Sequence, residues 1–579
     1  MPNPVLQASP EQNRPGLWHF SLPAGCWLSV ALWLLVSAAW QWHVHAPGIL
    51  GDMWDMLAGY QQLGSATPRA ILHELLRQFA GVHTLFIPKL FFWLNFGLFA
   101  GSGVLLKCLS FMLCGANMLL LCLLVRRDLA SVSPVPVFLA AVLVFFNGLQ
   151  TLVIEWDFLV QHYFAIFFTL LAFSVCDVRG QQLSPRQLLK ACCLVLLAVL
   201  SCGSGLASLL ALGFYLLCRR ERFSVLILYV FFSVLLWLLL KPVASDSADA
   251  FAVAHHLQPN AFFWSGMDLL FRYLSFPFSA WLDCRWLGVA VTLAALHSAW
   301  VCVKHHDASL RDVLLVYFFI IALTVMWGRY RFFTPDTDLS RFYVYLAPLW
   351  FLSLLKIADV SVRGFYLAAI SLCTALVLAG LFAIAVAADH AGRMQLSAVV
   401  ARNGNFSHLA GLRLNAMVQG ESALQQQHDY LQVNDMDIYS DNDAAILSLP
   451  ETQPCAATVL RRTAVTKGTY VDYLLRGSDA NGSALQDWIL VDPAVNQHYA
   501  GAVVAERVRM KGWQLRLNEI SLQDWLLLLP ARFLGVDQTV LYTHLPRTVS
   551  LDSLQLWART AGDQRCRLQL ATPVSAVPE

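Results

Sequence analysis

Residues 103–125 read GVLLKCLSFMLCGANMLLLCLLV, an apolar run in which Lys107 is the one charged residue. An apolar segment of about 18 or more residues can cross the hydrocarbon core of a bilayer as a helix. Such runs recur, and we predict about eleven membrane spans, at 24–43, 103–125, 134–154, 158–176, 187–202, 205–218, 223–241, 282–303, 312–328, 342–356 and 364–387. The sequence therefore predicts an α-helical multi-pass membrane bundle. The fifth and sixth runs are short and joined by SCGSG (201–205), which indicates a tight hairpin.

The composition argues against a soluble domain, a nucleic-acid-binding protein and an enzyme that uses a cytosolic nucleotide. Of the 579 residues, 58% are hydrophobic and 13% are charged, whereas an average globular chain is about 25% charged. The net charge of +2 does not point to a nucleic-acid partner. The chain has neither a P-loop nor a Rossmann glycine fingerprint, so no site for a cytosolic nucleotide is evident.

The basic residues predict the orientation, because lysine and arginine concentrate in cytoplasmic loops. Clusters such as Arg126-Arg127 and Arg219-Arg220 best fit a cytoplasmic N-terminus and an exterior loop carrying Asp52. An odd number of spans then places the region after about residue 388 outside as well. The predicted units are a cytoplasmic leader (1–23), a transmembrane domain (24–387) with a long first exterior loop (44–102), a helical linker (388–454) and an exterior β-rich domain (455–579).

The first exterior loop carries helical patterns of its own. Residues 54–63 and 68–79 both show the apolar spacing of a helix. Pro68 after Thr67 suits a first helical turn. Residues 87–101, IPKLFFWLNFGLFAG, are strongly apolar but too short to span, so we predict a helix lying at the membrane interface.

The C-terminal region has the pattern of short antiparallel strands. The runs TYVDYLL, DWILV, WQLRL, TVLYTHL and LQLWA alternate with Gly, Asp and Asn turns. Twelve of the fourteen cysteines precede residue 388, and only Cys455 and Cys566 fall in this region. Two cysteines in an oxidising compartment suggest a disulfide that closes a long loop.

Polar residues collect at the predicted exterior ends of the helices. Ionisable groups at membrane depth are costly and are functional candidates by default. Arginine binds phosphate with two parallel hydrogen bonds, lysine supplies a point charge, and a carboxylate can deprotonate a hydroxyl group. The candidates are Asp52, Asp55, His83, Lys89, Glu155, Asp157, Gln161, His162, Arg329, Arg331, Arg341 and Tyr343.

In four stretches the chain resembles the GT-C membrane glycosyltransferases, which use polyprenyl-phosphate sugars. The stretches are GDMWD (51–55), VHTLFIPKL (82–90), EWDFLVQH (155–162) and the loop that begins RYRF (329–332) and ends SRFYVY (340–345). The resemblance covers about residues 20–360 well and the C-terminal domain loosely. That domain looks like the carbohydrate-binding modules of arabinofuranosyltransferases. Many relatives carry Glu-His-Arg where this chain has Val82-His83-Thr84.

The resemblance implies roles for the candidate residues. An acid of the first exterior loop is the catalytic base in that group, which corresponds to Asp52 or Asp55. The residues expected to bind the donor phosphate are Lys89, Arg329, Arg331 and Arg341. The residues expected to bind substrate are His83, Gln161, His162, Glu155, Asp157 and Tyr343. The implied reaction is a single inverting displacement. Paired acids can hold a divalent cation, but single-phosphate donors often react without one, so we expect no metal and no other cofactor.

The expected partners are a polyprenyl-phosphate sugar, an acceptor glycan, lipid or secreted protein, and the membrane lipids, with no nucleic acid. The expected location is the inner membrane of a bacterium, with the active site and the C-terminal domain facing the periplasm. Two other classes stay open at this point. A lipid-linked glycan transporter or flippase would carry charged residues near the middle of several spans. A cell-envelope assembly protein would use the β-rich domain for binding and the bundle as an anchor.

Overall fold

The computed structural model describes residues 24–45, 52–79, 83–126, 128–129, 132–177, 182–240, 266–280, 284–305, 309–329, 339–403, 421–434, 449–450, 458–467, 470–478, 487–494, 497–505, 539–559 and 565–570. Helices dominate this part of the chain up to residue 434, and strands dominate it from residue 458. The helical membrane bundle and the C-terminal β-rich region are thereby confirmed.

The α-helices of the described chain follow one another in sequence order. They are α1 (Ala24–His43), α2 (Met53–Gln61), α3 (Pro68–Leu76), α4 (Phe86–Leu98), α5 (Val104–Arg126), α6 (Pro134–Phe145), α7 (Gly148–Ile154), α8 (Val160–Cys176), α9 (Pro185–Val199), α10 (Leu206–Cys218), α11 (Phe223–Leu240), α12 (Met267–Leu274), α13 (Arg285–His305), α14 (Leu310–Arg329), α15 (Tyr343–Val360), α16 (Val362–Arg402) and α17 (Glu421–Val433). A two-stranded ribbon, β1 (Gln78–Phe79) with β2 (His83–Thr84), lies between α3 and α4.

Six of the described helices are long and apolar enough to cross a membrane, or seven if the bent pair α6–α7 counts as one span. The six are α1, α5, α8 with the 3₁₀ turn before it, α13, α15 and the first half of α16. The expected count of eleven is therefore wrong on this criterion. The other four predicted spans correspond to helices α9, α10, α11 and α14.

Length explains why α9 and α10 do not count as spans. Helices α9 and α10 have 15 and 13 residues, which is about 22 and 20 Å at 1.5 Å per residue. The hydrocarbon core is about 30 Å thick. The two helices therefore form a short hairpin that turns at Gly203–Gly205, as the SCGSG sequence predicts.

The bend of 49° between α6 and α7 is held by specific polar contacts. Asn147 is the N-cap residue of α7, and its side-chain oxygen accepts a hydrogen bond from the backbone N–H of Leu149. The carbonyl of Phe146, which lies at the break, accepts hydrogen bonds from Trp33 Nε1 (2.7 Å) and Ser37 Oγ (3.1 Å) of α1. Helix α1 thus satisfies a backbone carbonyl for which the break leaves no partner within its own helix.

Helices α7 and α16 touch through two glycines. A Cβ atom on Gly148 would overlap the carbonyl oxygen of Gly380, and a Cβ atom on Gly380 would press on the backbone of Gly148. Close backbone approach through small residues is a common way for membrane helices to associate.

Replacement of Gly148 with Ala is expected to lower the free energy of unfolding in detergent by about 1–3 kcal/mol, the usual cost of overpacking. Gly25→Ala is a matched control, because a Cβ atom there meets nothing within 4 Å. Equal stability of the two variants in chemical unfolding would contradict the tight crossing.

We call the end of the bundle formed by the C-terminal ends of α1 and α7 and the N-terminal ends of α5, α8 and α15 the loop end. The opposite end carries an ion network. Arg311 donates two hydrogen bonds of 2.7 Å to Asp359, and Lys356 lies 2.7 Å from Asp312. The charges of these helices thus lie at their ends, as a membrane bundle requires.

Helix α16 connects the bundle with the β-rich region. It has 41 residues, about 60 Å at the usual rise, of which Val362–Leu381 is the apolar part. Its outer half packs on strands β6 and β7, and Asn403 Nδ2 donates to the carbonyl of His544 over 2.9 Å. The β-rich region is therefore held by a helix that begins inside the bundle.

The strands form a closed barrel in the order β3-β4-β7-β6-β5-β8-β9. They are β3 (Thr458–Lys467), β4 (Tyr470–Ser478), β5 (Asp487–Asp492), β6 (Gln497–Ala505), β7 (Thr539–Pro546), β8 (Gln555–Arg559) and β9 (Arg565–Leu570). Neighbours are antiparallel except β3 and β9, whose parallel pairing closes the barrel. The predicted strands TYVDYLL, DWILV, TVLYTHL and LQLWA correspond to β4, β5, β7 and β8, and WQLRL lies outside the described residues.

The predicted disulfide involves one described cysteine. Cys566 is buried in β9, opposite Ala558. Cys455 lies outside the described residues. The backbone N–H of Arg565 donates to the carbonyl of Pro450 over 3.2 Å, which brings the chain shortly before Cys455 beside Cys566. The bridge and the domain boundaries stay predictions.

Candidate active site

Three ionisable side chains from separate parts of the chain meet at the loop end. His45 follows α1, Lys107 lies in the first turn of α5, and Glu155 follows α7 directly. The Lys107 ammonium donates to His45 Nδ1 over 2.7 Å and lies 3.1 Å from Glu155 Oε2. The side chains of Lys107 and Glu155 are only 11% and 12% exposed. A mostly buried ammonium needs such partners, because its loss of hydration is costly.

Burial sets the protonation behaviour of this trio. It raises the pKa of Glu155 to about 7, although the charge of Lys107 acts in the opposite direction. Burial, reinforced by the charge of Lys107, lowers the pKa of His45 to about 4. His45 is therefore neutral at neutral pH, and its Nδ1 can accept the proton that Lys107 donates. Glu155 titrates in the range where groups that transfer protons work best.

Residues 155–157 carry three neighbouring polar atoms without hydrogen-bond partners, which we call the open polar atoms. Glu155 Oε1, Trp156 Nε1 and Asp157 Oδ1 are all buried, and none has a hydrogen-bond partner among the described residues. Buried polar atoms are normally hydrogen-bonded, so this concentration needs an explanation. The set offers two acceptors and one donor, which is what a ligand with hydroxyl groups requires.

The backbone and one cation enclose this segment. Gly103, with a φ of 73°, packs so closely on Asp157 that a Cβ atom would overlap the carboxylate. The Arg341 guanidinium lies over the Trp156 ring, with Cζ 5.7 Å from the ring centroid. The structure therefore places the predicted cation Arg341 on the ring of Trp156, the residue between the predicted acids Glu155 and Asp157.

Two buried amides lie on neighbouring elements. Asn95 on α4 and Gln161 on α8 are 1% and 2% exposed. Both polar atoms of Asn95 and the Oε1 atom of Gln161 lack hydrogen-bond partners in the described structure. Phe92, one turn before Asn95, stacks on Phe158 with ring centroids 5.8 Å apart. This stacking joins α4 to the segment that carries Asp157.

Lys89 on α4 is used inside the protein. Its ammonium donates to the backbone carbonyls of Glu74 and Arg77, the latter at 2.9 Å, and lies 3.5 Å from Glu74 Oε1. Glu74 in turn binds Arg77 through two hydrogen bonds of 2.6 and 2.8 Å. Burial lowers the pKa of Lys89 to about 8. Its role as a phosphate ligand stays a prediction, which would require these partners to release it.

The two acids of GDMWD lie on or beside α2. Asp52 is the N-cap residue of that helix, and its side chain makes no capping hydrogen bond. Asp55 lies close enough to Arg77 that, together with the stronger effect of Glu74, it raises the pKa of that guanidinium. Helix α17 covers this region, because Gln427 Nε2 donates to the Trp54 carbonyl over 3.3 Å. The catalytic roles of Asp52 and Asp55 stay predictions.

Two predicted substrate ligands make hydrogen bonds between helices. The Tyr343 hydroxyl donates to the Val144 carbonyl over 3.0 Å and accepts from Asn147 Nδ2 over 2.7 Å. His162 Nδ1 lies 2.6 Å from the Tyr345 hydroxyl. Both side chains are buried. This geometry fits a structural role in the bundle, so substrate binding by Tyr343 and His162 stays a prediction without support from these contacts.

The remaining candidates are only partly described. His83 lies in β2 and Arg329 ends α14, but their side chains, like all of Arg331, lie outside the described part. His45, Lys107 and Asn95 are not among the site residues that the sequence predicts. Lys107 could have been noticed as the one charge in the apolar run 103–125, but its partners come from distant segments.

Among the described residues, no group of three or more His, Cys, Asp or Glu side chains could hold a metal ion. A cavity inside the bundle, lined by residues including Asn117, Gln150 and Tyr163, has a volume of about 10 Å³. That is room for about one water molecule, so this cavity cannot be a sugar site.

Comparisons with protein-family models, with curated proteins and with solved structures found no match for this chain. The class of the protein follows from its fold, which is that of a multi-pass helical membrane protein with a barrel at its C-terminal end. The resemblance to GT-C glycosyltransferases remains a hypothesis based on the four sequence stretches quoted above.

Proposed function

We propose that this protein is a membrane glycosyltransferase. It moves a sugar from a polyprenyl-phosphate donor to a hydroxyl group of an acceptor at the loop end, by an inverting displacement. The observation that carries the proposal is the row of open polar atoms at 155–157 beside the Arg341 cation. The polar atoms suit the hydroxyl groups of a neutral sugar, and the cation suits an anionic phosphate.

Each part of the site has a function in this reaction. The open acceptors and the Trp156 donor can bind sugar hydroxyl groups, and aromatic rings supply apolar surface for the face of a sugar ring. A carboxylate can accept the proton of the attacking hydroxyl. Arg341 can stabilise the charge that develops on the departing lipid phosphate, and fixed charges at such a position are usually the largest catalytic contribution. Asp52 and Asp55 remain the sequence-based candidates for the base.

The proposed location is the inner membrane of a bacterium, with the loop end and the barrel in the periplasm. The positions of the lysine and arginine residues support this orientation. The exposed leucines of α4, Leu90, Leu94 and Leu98, support contact of that helix with lipid. A donor with a long polyprenyl chain would reach the site from the same bilayer.

The test uses purified protein in lipid nanodiscs with a panel of polyprenyl-phosphate sugars and hydroxyl acceptors. We expect one donor to be consumed with stoichiometric release of polyprenyl phosphate, and more slowly when water is the acceptor. Asp552→Asn, a change at an exposed carboxylate of the barrel region, is a control that should leave the rate unchanged. Absence of polyprenyl phosphate release from every donor, by protein that elutes as a folded monodisperse species, would contradict the proposal.

A further inference from the structure

We infer that Glu155 is the catalytic proton acceptor of the proposed transfer, and that Lys107, held by His45, is the positioning residue that fixes its carboxylate. This inference rests on the proposed function. It assigns the base to the segment after α7, whereas the sequence resemblance implies a base in the first loop.

The two oxygens of the Glu155 carboxylate differ in their surroundings. Oε2 lies 3.1 Å from the Lys107 ammonium, whereas Oε1 has no hydrogen-bond partner in the described chain. A general base needs one fixed orientation and one oxygen available to the substrate. The neighbouring Trp156 Nε1 and Asp157 Oδ1 are open in the same way, so an incoming hydroxyl compound would meet several complementary groups at once.

His45 restricts the position of Lys107. A lysine side chain has four rotatable bonds, and one contact with Glu155 would not fix its ammonium. The second contact, 2.7 Å to His45 Nδ1, comes from the segment after α1, so two acceptors from separate segments define where the ammonium lies. Because His45 is neutral at neutral pH, it accepts a hydrogen bond without adding a second positive charge.

The described charged and titratable groups near Glu155 come from several elements. Lys107 lies on α5, His45 follows α1, Asp157 begins the next turn, and Arg341 lies across the Trp156 ring. Lys107 favours the ionised carboxylate, and Asp157 opposes it. The ammonium therefore keeps a mostly buried carboxylate ionised often enough to act at neutral pH.

The proposed step is balanced in atoms and charge. The acceptor hydroxyl oxygen forms a bond to the anomeric carbon, and the bond from that carbon to the phosphate oxygen breaks. The phosphate leaves with the bonding electron pair, and Arg341 stabilises its charge. The hydroxyl proton moves to Glu155 Oε1 and is later lost to water. No oxidant, reductant or other reactant is needed.

The test compares Glu155→Gln, Lys107→Met and Lys107→Arg with the wild-type protein, in nanodiscs, with the donor that the panel identifies. Glu155→Gln keeps the shape of the side chain and is expected to lower kcat by about 10²–10⁴-fold. The wild-type rate should rise with pH through a midpoint near the Glu155 pKa of about 7, because only the ionised form accepts a proton. Lys107→Met removes a charge that lowers this pKa, so the midpoint should move upward by about one pH unit or more. Lys107→Arg keeps the positive charge, so its pH midpoint should lie close to that of the wild-type protein.

Three results separate the possibilities. A wild-type protein without activity overturns the proposed function itself. An active wild-type protein whose Glu155→Gln variant keeps its kcat overturns the assignment of the base and leaves the glycosyltransferase proposal intact. A Lys107→Met variant that is slower but has an unchanged pH midpoint overturns the positioning role. Lys190→Met, at an exposed lysine of α9, controls for loss of charge alone.

Discussion

Arg341→Met is expected to lower kcat for glycosyl transfer by about 10²–10³-fold, the usual cost of removing one group that stabilises a developing anion. Arg341 is the one predicted phosphate ligand whose side chain the structure describes beside the open atoms of residues 155–157. Its Cζ atom lies 5.7 Å from the Trp156 ring centroid and 5.0 Å from that of Phe342. These rings hold the guanidinium in place, so binding of the donor requires little reordering of the side chain.

The split between kcat and KM makes this prediction specific. Phosphate gains charge as the sugar leaves, so the loss should fall mainly on kcat, with a smaller rise in KM for the donor. Arg341→Lys keeps the charge but loses the two-pronged hydrogen-bonding geometry, and should lie between wild type and Arg341→Met. Arg547→Met, at an exposed arginine of the barrel region, is the matched control. If Arg341→Met matches that control in kcat, Arg341 does not stabilise the leaving group.

Lys356→Met should have the largest effect on stability, about 3–5 kcal/mol in the free energy of unfolding. Lys356 lies 2.7 Å from Asp312, whose side chain is only 4% exposed. Without the ammonium, the carboxylate stays buried beside Arg311, 4.0 Å away, and the hydroxyl group of Ser298. Breaking one member of a buried pair leaves an incompletely compensated charge, which costs more than the pair contributes.

A second substitution tests this explanation. Asp312→Asn in the Lys356→Met background removes the orphaned charge and keeps a side chain that can hydrogen-bond with Ser298. The double variant should recover more than half of the loss in chemical unfolding in detergent. If the double variant loses as much free energy of unfolding as the two single variants lose together, the two side chains are not coupled. Lys190→Met serves again as the exposed control.

The sequence predicted the elements that depend on local pattern. The apolar runs correspond to helices, including the interrupted run 134–154, and Pro68 after Thr67 begins α3, where the Thr67 hydroxyl accepts from Ala70. Strands β4, β5, β7 and β8 follow their alternating runs in the same way. The number of full spans was wrong, because hydropathy reports how apolar a run is and not where the chain turns. Helix α10 is apolar but, like α9, too short for a span.

The candidate site was predictable in its residue types and less so in its contacts. Glu155, Asp157 and Arg341 were expected to converge because all three lie at the loop end of the bundle, and the structure places Arg341 on the ring of Trp156, between the two acids in sequence. Lys89 could not be recognised as a buried side chain from its sequence, because its partners Glu74 and Arg77 lie in and directly after α3, which packs on α4 only in the folded protein. The pairing of His45 with Lys107 likewise joins segments 62 residues apart.

A cryo-EM structure in nanodiscs with a non-transferable polyprenyl-phosphonate sugar tests the central claim most directly. We predict sugar density against Trp156 within hydrogen-bond distance of Glu155 and Asp157, with the phosphonate group on the guanidinium of Arg341. Density for the sugar at another place in the protein, with residues 155–157 and Arg341 unchanged from the ligand-free state, would contradict the account.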